Sequence, residues 1–221
     1  MPLKNELEEI QRISGRRVAE AYVDLNKSED SLYSEIKIYI PSIGRSDCLE
    51  TIKWLSKRAL KKTIIVTNSE ELKIYKKRFP DLNVVACPYK GMGAVREFII
   101  KNCSTRYLIM MDDDLKFYYR PKSGDWHLKY LKTRKQFNKL IKHLMFHVRK
   151  GNIAHASVGL REGHNRVLED FSYNKRYTRF FLFNTKEVKK LKLNRISGIE
   201  DFDIALQFLR KGKPSFITYK Y

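Results

Sequence analysis

Tyr107-Leu-Ile-Met-Met-Asp-Asp-Asp114 decides how this sequence is read. Arg106 to Met111 predicts a strand, and from Tyr107 on it is apolar and uninterrupted, as in a strand buried on both faces. It leads without a break into three carboxylates. Adjacent Asp side chains repel one another, and leaving them uncompensated raises their pKa values or destabilises the fold. A divalent cation relieves that repulsion and favours hard oxygen ligands. In an extended segment residues i and i+2 point the same way, so Asp112 and Asp114 are expected to share one metal while Asp113 faces elsewhere. The plain alternative is an acidic surface turn. Three acids directly behind a buried strand fit poorly with that in so basic a chain.

Working outward, strand-like and helix-like runs alternate on the N-terminal side. Ile36 to Ile40 predicts a strand that ends at Pro41, with Pro41-Ser42-Ile43-Gly44 as a turn. Asp47 to Leu60 predicts a helix, Thr63 to Thr67 a second strand, and Ser69 a hydroxyl cap for the next helix. Val84 to Ala86 is the third strand, and Gly91 and Gly93 open a helix running to Lys101. Four units of this kind predict an α/β fold with a mixed, mostly parallel sheet flanked by helices. Beyond the acidic run the pattern predicts a long helix over Lys132 to Lys150 and strands at Ile153 to Val158 and Arg179 to Phe183. A helix at Asp201 to Arg210 and a strand at Ser215 to Tyr219 follow.

Residues 1–31 read as a helical arm with sparse apolar spacing around Gly15, appended to a domain covering 32–221. Five basic and seven acidic side chains give the first thirty residues a net charge of −2. The whole chain, by contrast, holds 45 Lys and Arg against 25 Asp and Glu, a net charge of +20 over 221 residues. Such an excess predicts a polyanionic partner: nucleic acid, an anionic membrane surface or a phosphate-rich substrate. No run approaches the length of a membrane span, and MPLKNELEEI lacks the apolar core of a secretion signal. Cys48, Cys87 and Cys103 have no CxxC spacing, which argues against a disulfide scaffold or a cysteine zinc site. A cytoplasmic location is expected, with peripheral membrane contact left open.

The layout resembles the GT-A (Rossmann-like) fold of nucleotide-sugar glycosyltransferases, in which a strand ends in a DxD motif. It is similar to the family-2-like group and, more narrowly, to the phage-encoded and TET-associated glycosyltransferases thought to modify hydroxymethylated DNA bases. The likeness covers roughly residues 35 to 217. It implies Mn2+ or Mg2+ held mainly by Asp114 with Asp112, the latter nearer the ribose. It also implies a nucleotide-diphosphate sugar donor, a UDP-sugar first, with Asp113 beside it.

Ile38-Tyr-Ile-Pro-Ser-Ile-Gly-Arg45 resembles the loop that cups the nucleotide base, which nominates Pro41, Ser42 and Arg45. Arginine there suits stacking on a base or pairing with phosphate. Asn68, after Thr67, stands where many members of the fold hold an Asp against uracil, so the donor base stays open. Pro88-Tyr-Lys-Gly-Met-Gly-Ala-Val-Arg96 offers backbone N–H groups and two cations at a helix entry, a fair diphosphate cradle that nominates Lys90 and Arg96. It lacks the third glycine of a dinucleotide fingerprint, and the chain has no GK[ST]. Ser197-Gly-Ile-Glu-Asp-Phe-Asp203 resembles the ED-containing region of inverting members, which implies Asp201 as the general base and Glu200 as its reserve. At a helix start those carboxylates also have a structural reason to exist. His164 is a possible late metal ligand by the same likeness, whereas His143 and His147 read most simply as one helix face.

The positive charge is concentrated after the acidic run. Residues 115–150 hold eleven Lys and Arg against Asp125, and residues 173–195 hold eight against Glu187. Both blocks are interleaved with aromatic rings, a pattern that suits phosphates and bases and predicts DNA as the acceptor partner. The competing readings are a glycosyltransferase acting on a cell-envelope glycan, lipid or protein, a nucleotidyltransferase, and a non-catalytic DNA-binding protein.

Overall fold

The computed structural model describes residues 28–125, 127–150, 153–161, 167–175, 177–196 and 198–221. The first 27 residues of the arm expected over 1–31, and Trp126, His164, Arg176 and Ser197, lie outside the described residues.

Strands β1 (Ile36–Pro41), β2 (Thr63–Thr67), β3 (Asn83–Ala86) and β4 (Tyr107–Met111) form a parallel half-sheet in the order β3-β2-β1-β4. The main sheet continues through β9 (Phe180–Asn184), β7 (His155–Val158), β10 (Ser215–Thr218) and β8 (Phe171–Tyr173). Here β9 runs antiparallel to both β4 and β7, β10 is parallel to β7, and β8 closes the edge antiparallel to β10. All five residues of β4 are buried, as an unbroken apolar run between two helical layers requires.

The period of two in β4 splits its side chains between two cores. Tyr107, Ile109 and Met111 join the core that contains Tyr33, Tyr75, Phe137 and Leu144, whereas Leu108 and Met110 join Val95, Ile99, Ile204 and Phe208. The first core is roofed by α1 (Glu29–Ser34), α3 (Leu72–Arg78) and α5 (Arg134–Lys150), the second by α4 (Met92–Asn102) and α7 (Glu200–Arg210). Along α5, Phe137, Leu140, Ile141, Leu144, Met145 and Val148 are buried, the spacing of one helix face. Each such side chain contributes roughly 1.5–3 kcal/mol over its exposed state.

Several expected elements differ. The helix expected over Asp47 to Leu60 is a 3-10 turn at Thr51–Trp54 followed by a separate short helix, α2 (Lys57–Leu60). Ser56 restarts the chain as an N-cap, its hydroxyl accepting from the Ala59 N–H. The cap expected from Ser69 is absent: Glu71 stands at the start of α3 without a side-chain cap, and Asn68 Oδ1 accepts from the Glu71 N–H at 2.8 Å in the turn before it. α1 spans the expected boundary at residue 32 and buries Leu32 and Tyr33 in the core. Also unanticipated are a two-stranded ribbon of β5 (Tyr118–Tyr119) and β6 (Lys129–Tyr130), the edge strand β8, and α6 (Thr185–Val188). Among the described residues no helix is long and apolar enough to cross a membrane.

Candidate active site

The carboxyl ends of β1, β2 and β4 meet at a cleft of about 440 Å³ lined by Pro41, Ser42, Arg45, Asn68, Asp112, Asp113 and Asp114 among others. Its position is the one that open α/β sheets reserve for ligands. The turn holding the three carboxylates is fixed by Thr51. Its hydroxyl donates to the Asp112 carbonyl (2.7 Å) and accepts from the Leu115 N–H (2.8 Å), while its own N–H donates to the Asp113 carbonyl (3.0 Å). On the other side the Asp112 N–H donates to the carbonyl of Arg179 (2.9 Å), a residue held at φ 62°. A non-glycine residue in the left-handed region is uncommon and here sits on the cleft wall.

The carboxylates have three different surroundings. Asp113 is buried, accepting from the Ser42 hydroxyl at 2.5 Å and from Arg45 Nη1 at 2.9 Å. Asp114 is exposed and accepts from the same Arg45 nitrogen at 2.7 Å. Burial pushes the Asp112 carboxyl up to about 6; Arg96 and Arg179 pull it down, and the charges of Asp114 and Asp113 raise it further. Asp113 does not face elsewhere as expected: it lines the cleft with Asp112 and Asp114, shares one Arg45 nitrogen with Asp114, and with Ser42 braces that arginine. The hydroxyl of Tyr75 completes this brace, 2.7 Å from the Ser42 hydroxyl and accepting from the Arg45 N–H at 3.1 Å.

Two nominated cations lie elsewhere than expected. Lys90 is exposed and does not line the cleft. Arg96 is buried beneath it, donating to Glu200 at 2.5 Å and stacking over Phe181 at 4.6 Å. Its side chain is in the interior, so it offers no direct contact to a ligand in the cleft; its charge acts on Asp112 instead. Glu200 and Asp201 are likewise buried at the start of α7 and line neither this cleft nor its neighbour. Asp201 lies near Tyr177, whose hydroxyl is pushed well above its ordinary pKa, first by burial and then by that carboxylate. The histidines on α5 are buried, His147 stacking on Phe216 at 3.5 Å.

Sequence reasoning did not find Thr51, Tyr75 or Arg179. A lone Thr or Tyr carries no local sign that its hydroxyl serves a distant loop, 61 residues away for Thr51 and 30 for Tyr75. The cleft rim shows a clearer signal: Ile43, Tyr89 and Met92 are large apolar side chains exposed at 56%, 58% and 46% on its lining. Exposed apolar groups gathered around one concavity mark a ligand surface.

A second cavity of about 320 Å³ adjoins the first, and Asp114 and Arg179 belong to both. It is walled by Phe117, Tyr118, Arg161, Phe180, Tyr219 and Tyr221.

Among the described residues no three His, Cys, Asp or Glu side chains converge into a ready metal cage. Asp112 and Asp114 nevertheless suit a hard divalent cation such as Mg2+ or Mn2+. Mg2+ commonly takes one or two protein carboxylates and completes its shell with water and substrate phosphate.

A parallel half-sheet extended by an antiparallel strand, with carboxylates at the end of the central strand and two joined cavities beyond it, defines a GT-A glycosyltransferase domain. The fold is shared with a mannosyltransferase from Pyrobaculum calidifontis, solved with GDP-Man and Mn2+ (TM-score 0.56, 12% identity, 90% of this chain and 60% of that one). It is shared too with glucosyl-3-phosphoglycerate synthase from Mycobacterium tuberculosis, solved with Mg2+ and UDP (TM-score 0.58, 12% identity, 88% of this chain and 74% of that one). The same synthase with Mn2+, UDP-glucose and phosphoglyceric acid gives a TM-score of 0.55 at 11% identity, covering 84% of this chain and 70% of that one. At such identities the likeness is one of fold. None of the curated proteins matches the sequence. The model of the TET-associated glycosyltransferases matches residues 36–221, and the chain belongs to that family.

Proposed function

We propose that the protein moves a sugar from a nucleotide-diphosphate sugar, a UDP-sugar being the first candidate, to the hydroxyl of a hydroxymethylated base in DNA. The observation that carries this reading is the junction of two cavities at Asp114 and Arg179. A transferase needs its donor and acceptor sites to share a border where the bond is exchanged, and this border lies at the carboxyl end of the sheet.

In this reading the donor occupies the larger cleft. Ile43, Tyr89 and Met92 offer apolar surface to the base, with Pro41, Ser42 and Asn68 at its floor. Arg45 already spans Asp113 and Asp114 and supplies positive charge for the diphosphate. Asp112 and Asp114 would hold Mn2+ or Mg2+, which neutralises charge developing on the leaving diphosphate. In the exchange, an acceptor oxygen forms a bond to the anomeric carbon as the carbon–oxygen bond to the diphosphate breaks and its electron pair leaves with the nucleotide. The acceptor proton passes to a carboxylate. Asp201, nominated for that role by the sequence, is buried and lines neither cavity, so it serves as the base only if the start of α7 opens toward the junction; Glu200 is held by Arg96.

DNA as the acceptor is supported by charge and rings together. Lys116, Lys129 and Lys132 are exposed around the second cavity and its ribbon, next to Tyr118 and Tyr130. Phosphates need the first group, and unstacked bases suit the second. The test is mass spectrometry of duplexes, with and without hydroxymethylated pyrimidines, after incubation with a panel of nucleotide-sugars and Mn2+. One hexose-sized increment confined to the modified duplex is the expected result. Transfer to glycan or lipid acceptors with none to DNA would overturn the acceptor assignment.

A further inference from the structure

The second cavity has a construction of its own. Its floor is rigid: Phe117 and Phe180 are buried and meet edge to face at 6.1 Å, and Phe117 packs again on Phe137 at 4.9 Å. One wall is Tyr118, whose ring lies 4.2 Å from that of Tyr130 across the β5–β6 ribbon. Arg161 covers the same ring at 4.8 Å and donates to its hydroxyl at 3.1 Å. Tyr219 and Tyr221 also line it. The ribbon carrying Tyr118 is tied down at several points. The Arg120 N–H donates to the Lys220 carbonyl at 2.8 Å, and its guanidinium donates to the carbonyls of Glu169 and Val167.

The chemistry of this lining selects among acceptors. A sugar acceptor presents several hydroxyls and calls for carboxylates and amides to bond them. Here no Asn, Gln or Glu lines the cavity among the described residues, and its single carboxylate, Asp114, is engaged by Arg45. What it offers is flat rings and aliphatic side chains, a guanidinium over one of the rings, the Thr178 hydroxyl, and the cations Lys116 and Arg179. A volume of about 320 Å³ is at the small end of the ~300–1,000 Å³ range of ligand pockets and suits one heterocycle better than an oligosaccharide. A base inside a duplex is out of reach of such a recess, so it must leave the stack.

We infer that this cavity receives a single nucleobase everted from duplex DNA, stacked against Tyr118, with Arg161 released from its tyrosine to meet the base or its phosphate. This rests on the DNA reading above and adds the manner of presentation and the residues that achieve it. The base enters beside Asp114 and Arg179, which brings its hydroxymethyl group to the border with the donor cleft.

The test uses the full chain and a hydroxymethylated duplex with 2-aminopurine beside the modified base, whose fluorescence rises when its neighbour unstacks. Binding should raise the signal several-fold with the wild-type chain. Tyr118→Ala should abolish the rise, Tyr118→Phe should keep it, and Arg161→Ala should reduce it, each variant first checked for an intact thermal unfolding transition. Placing the modified base opposite a mismatch should tighten binding about ten-fold, because less pairing energy is spent on eversion. If the wild-type chain glycosylates the duplex with no fluorescence rise, or Tyr118→Ala rises equally, the pocket assignment fails and the DNA reading stands. If no sugar reaches DNA at all, both fail together.

Discussion

Arg96 and Glu200 meet at 2.5 Å with side chains only 11% and 8% exposed, which ties the glycine-led helix α4 to the acidic start of α7 across 104 residues of sequence. The same guanidinium stacks over Phe181 and bears electrostatically on Asp112. One buried cation thus links the floor of the donor cleft to the helix that carries the proposed base.

Removing one partner of a buried pair leaves an uncompensated charge. Arg96→Ala or Glu200→Ala is expected to lower unfolding stability by about 3–5 kcal/mol. The double replacement Arg96→Met with Glu200→Leu should recover much of that loss. Urea unfolding of the three variants measures it, and additive losses would show that the pair is not coupled.

Gly91 starts α4 at φ 91°, ψ 143° and lines the donor cleft. Side chains are strained there, so Gly91→Ala should cost about 1–3 kcal/mol and raise the KM for donor. A Gly212→Ala variant, at φ 63° outside the cleft, carries backbone strain without the KM effect. Steady-state kinetics beside thermal melts separates the two contributions.

His155 lies between Tyr177 at 4.1 Å and Phe208 at 4.9 Å, and burial pushes its pKa down to about 3; His147 is pushed to about 3 for the same reason. The unfolded chain protonates first, near pH 6.5, so the stability these residues support is complete above that pH. It falls as pH drops from about 6.5 toward 3, by up to about 1.4 kcal/mol per pH unit for each histidine. Asp112, raised to about 6, acts in the opposite direction within that window, and its share cancels when variant and wild type are compared. Urea unfolding at pH 7, 6 and 5 should show a shallower slope for His155→Phe, and an unchanged slope would contradict the account.

Among the described residues Arg45 is the cation that ion-pairs with two of the three carboxylates, and it does so at an exposed position. Arg45→Ala should leave the melting temperature nearly unaltered while weakening nucleoside diphosphate binding about ten-fold or more. Calorimetric titration of the diphosphate checks this, with Arg45→Lys expected to be intermediate because a point charge replaces the planar fork.

Much of this was legible in the residues. Short apolar runs predicted β1 to β4, most plainly β2 and β4, which are buried on both faces, and the carboxylates fell at the end of β4. The helix expected over 47–60 failed because Thr51 spends its hydroxyl on the acidic turn, a partner remote in sequence, and Ser56 caps a new helix at Ala59. The role expected of Arg96 failed for a reason the sequence did contain. Arg96 follows Val95 and precedes Ile99 by three, which places it on the buried arc of α4, where a cation must find a carboxylate. The β5–β6 ribbon has two residues per strand, too few for any periodicity to register.

The central claim is tested most directly by nucleoside diphosphate release from a panel of nucleotide-sugars, with Mn2+ or Mg2+, with and without hydroxymethylated duplex DNA, for the wild-type chain and Asp114→Ala. The account predicts release that requires both metal and modified DNA and falls at least 100-fold in the variant, as loss of a charge-stabilising group at the leaving diphosphate entails. Release that proceeds equally in chelator, or equally in Asp114→Ala, would contradict it.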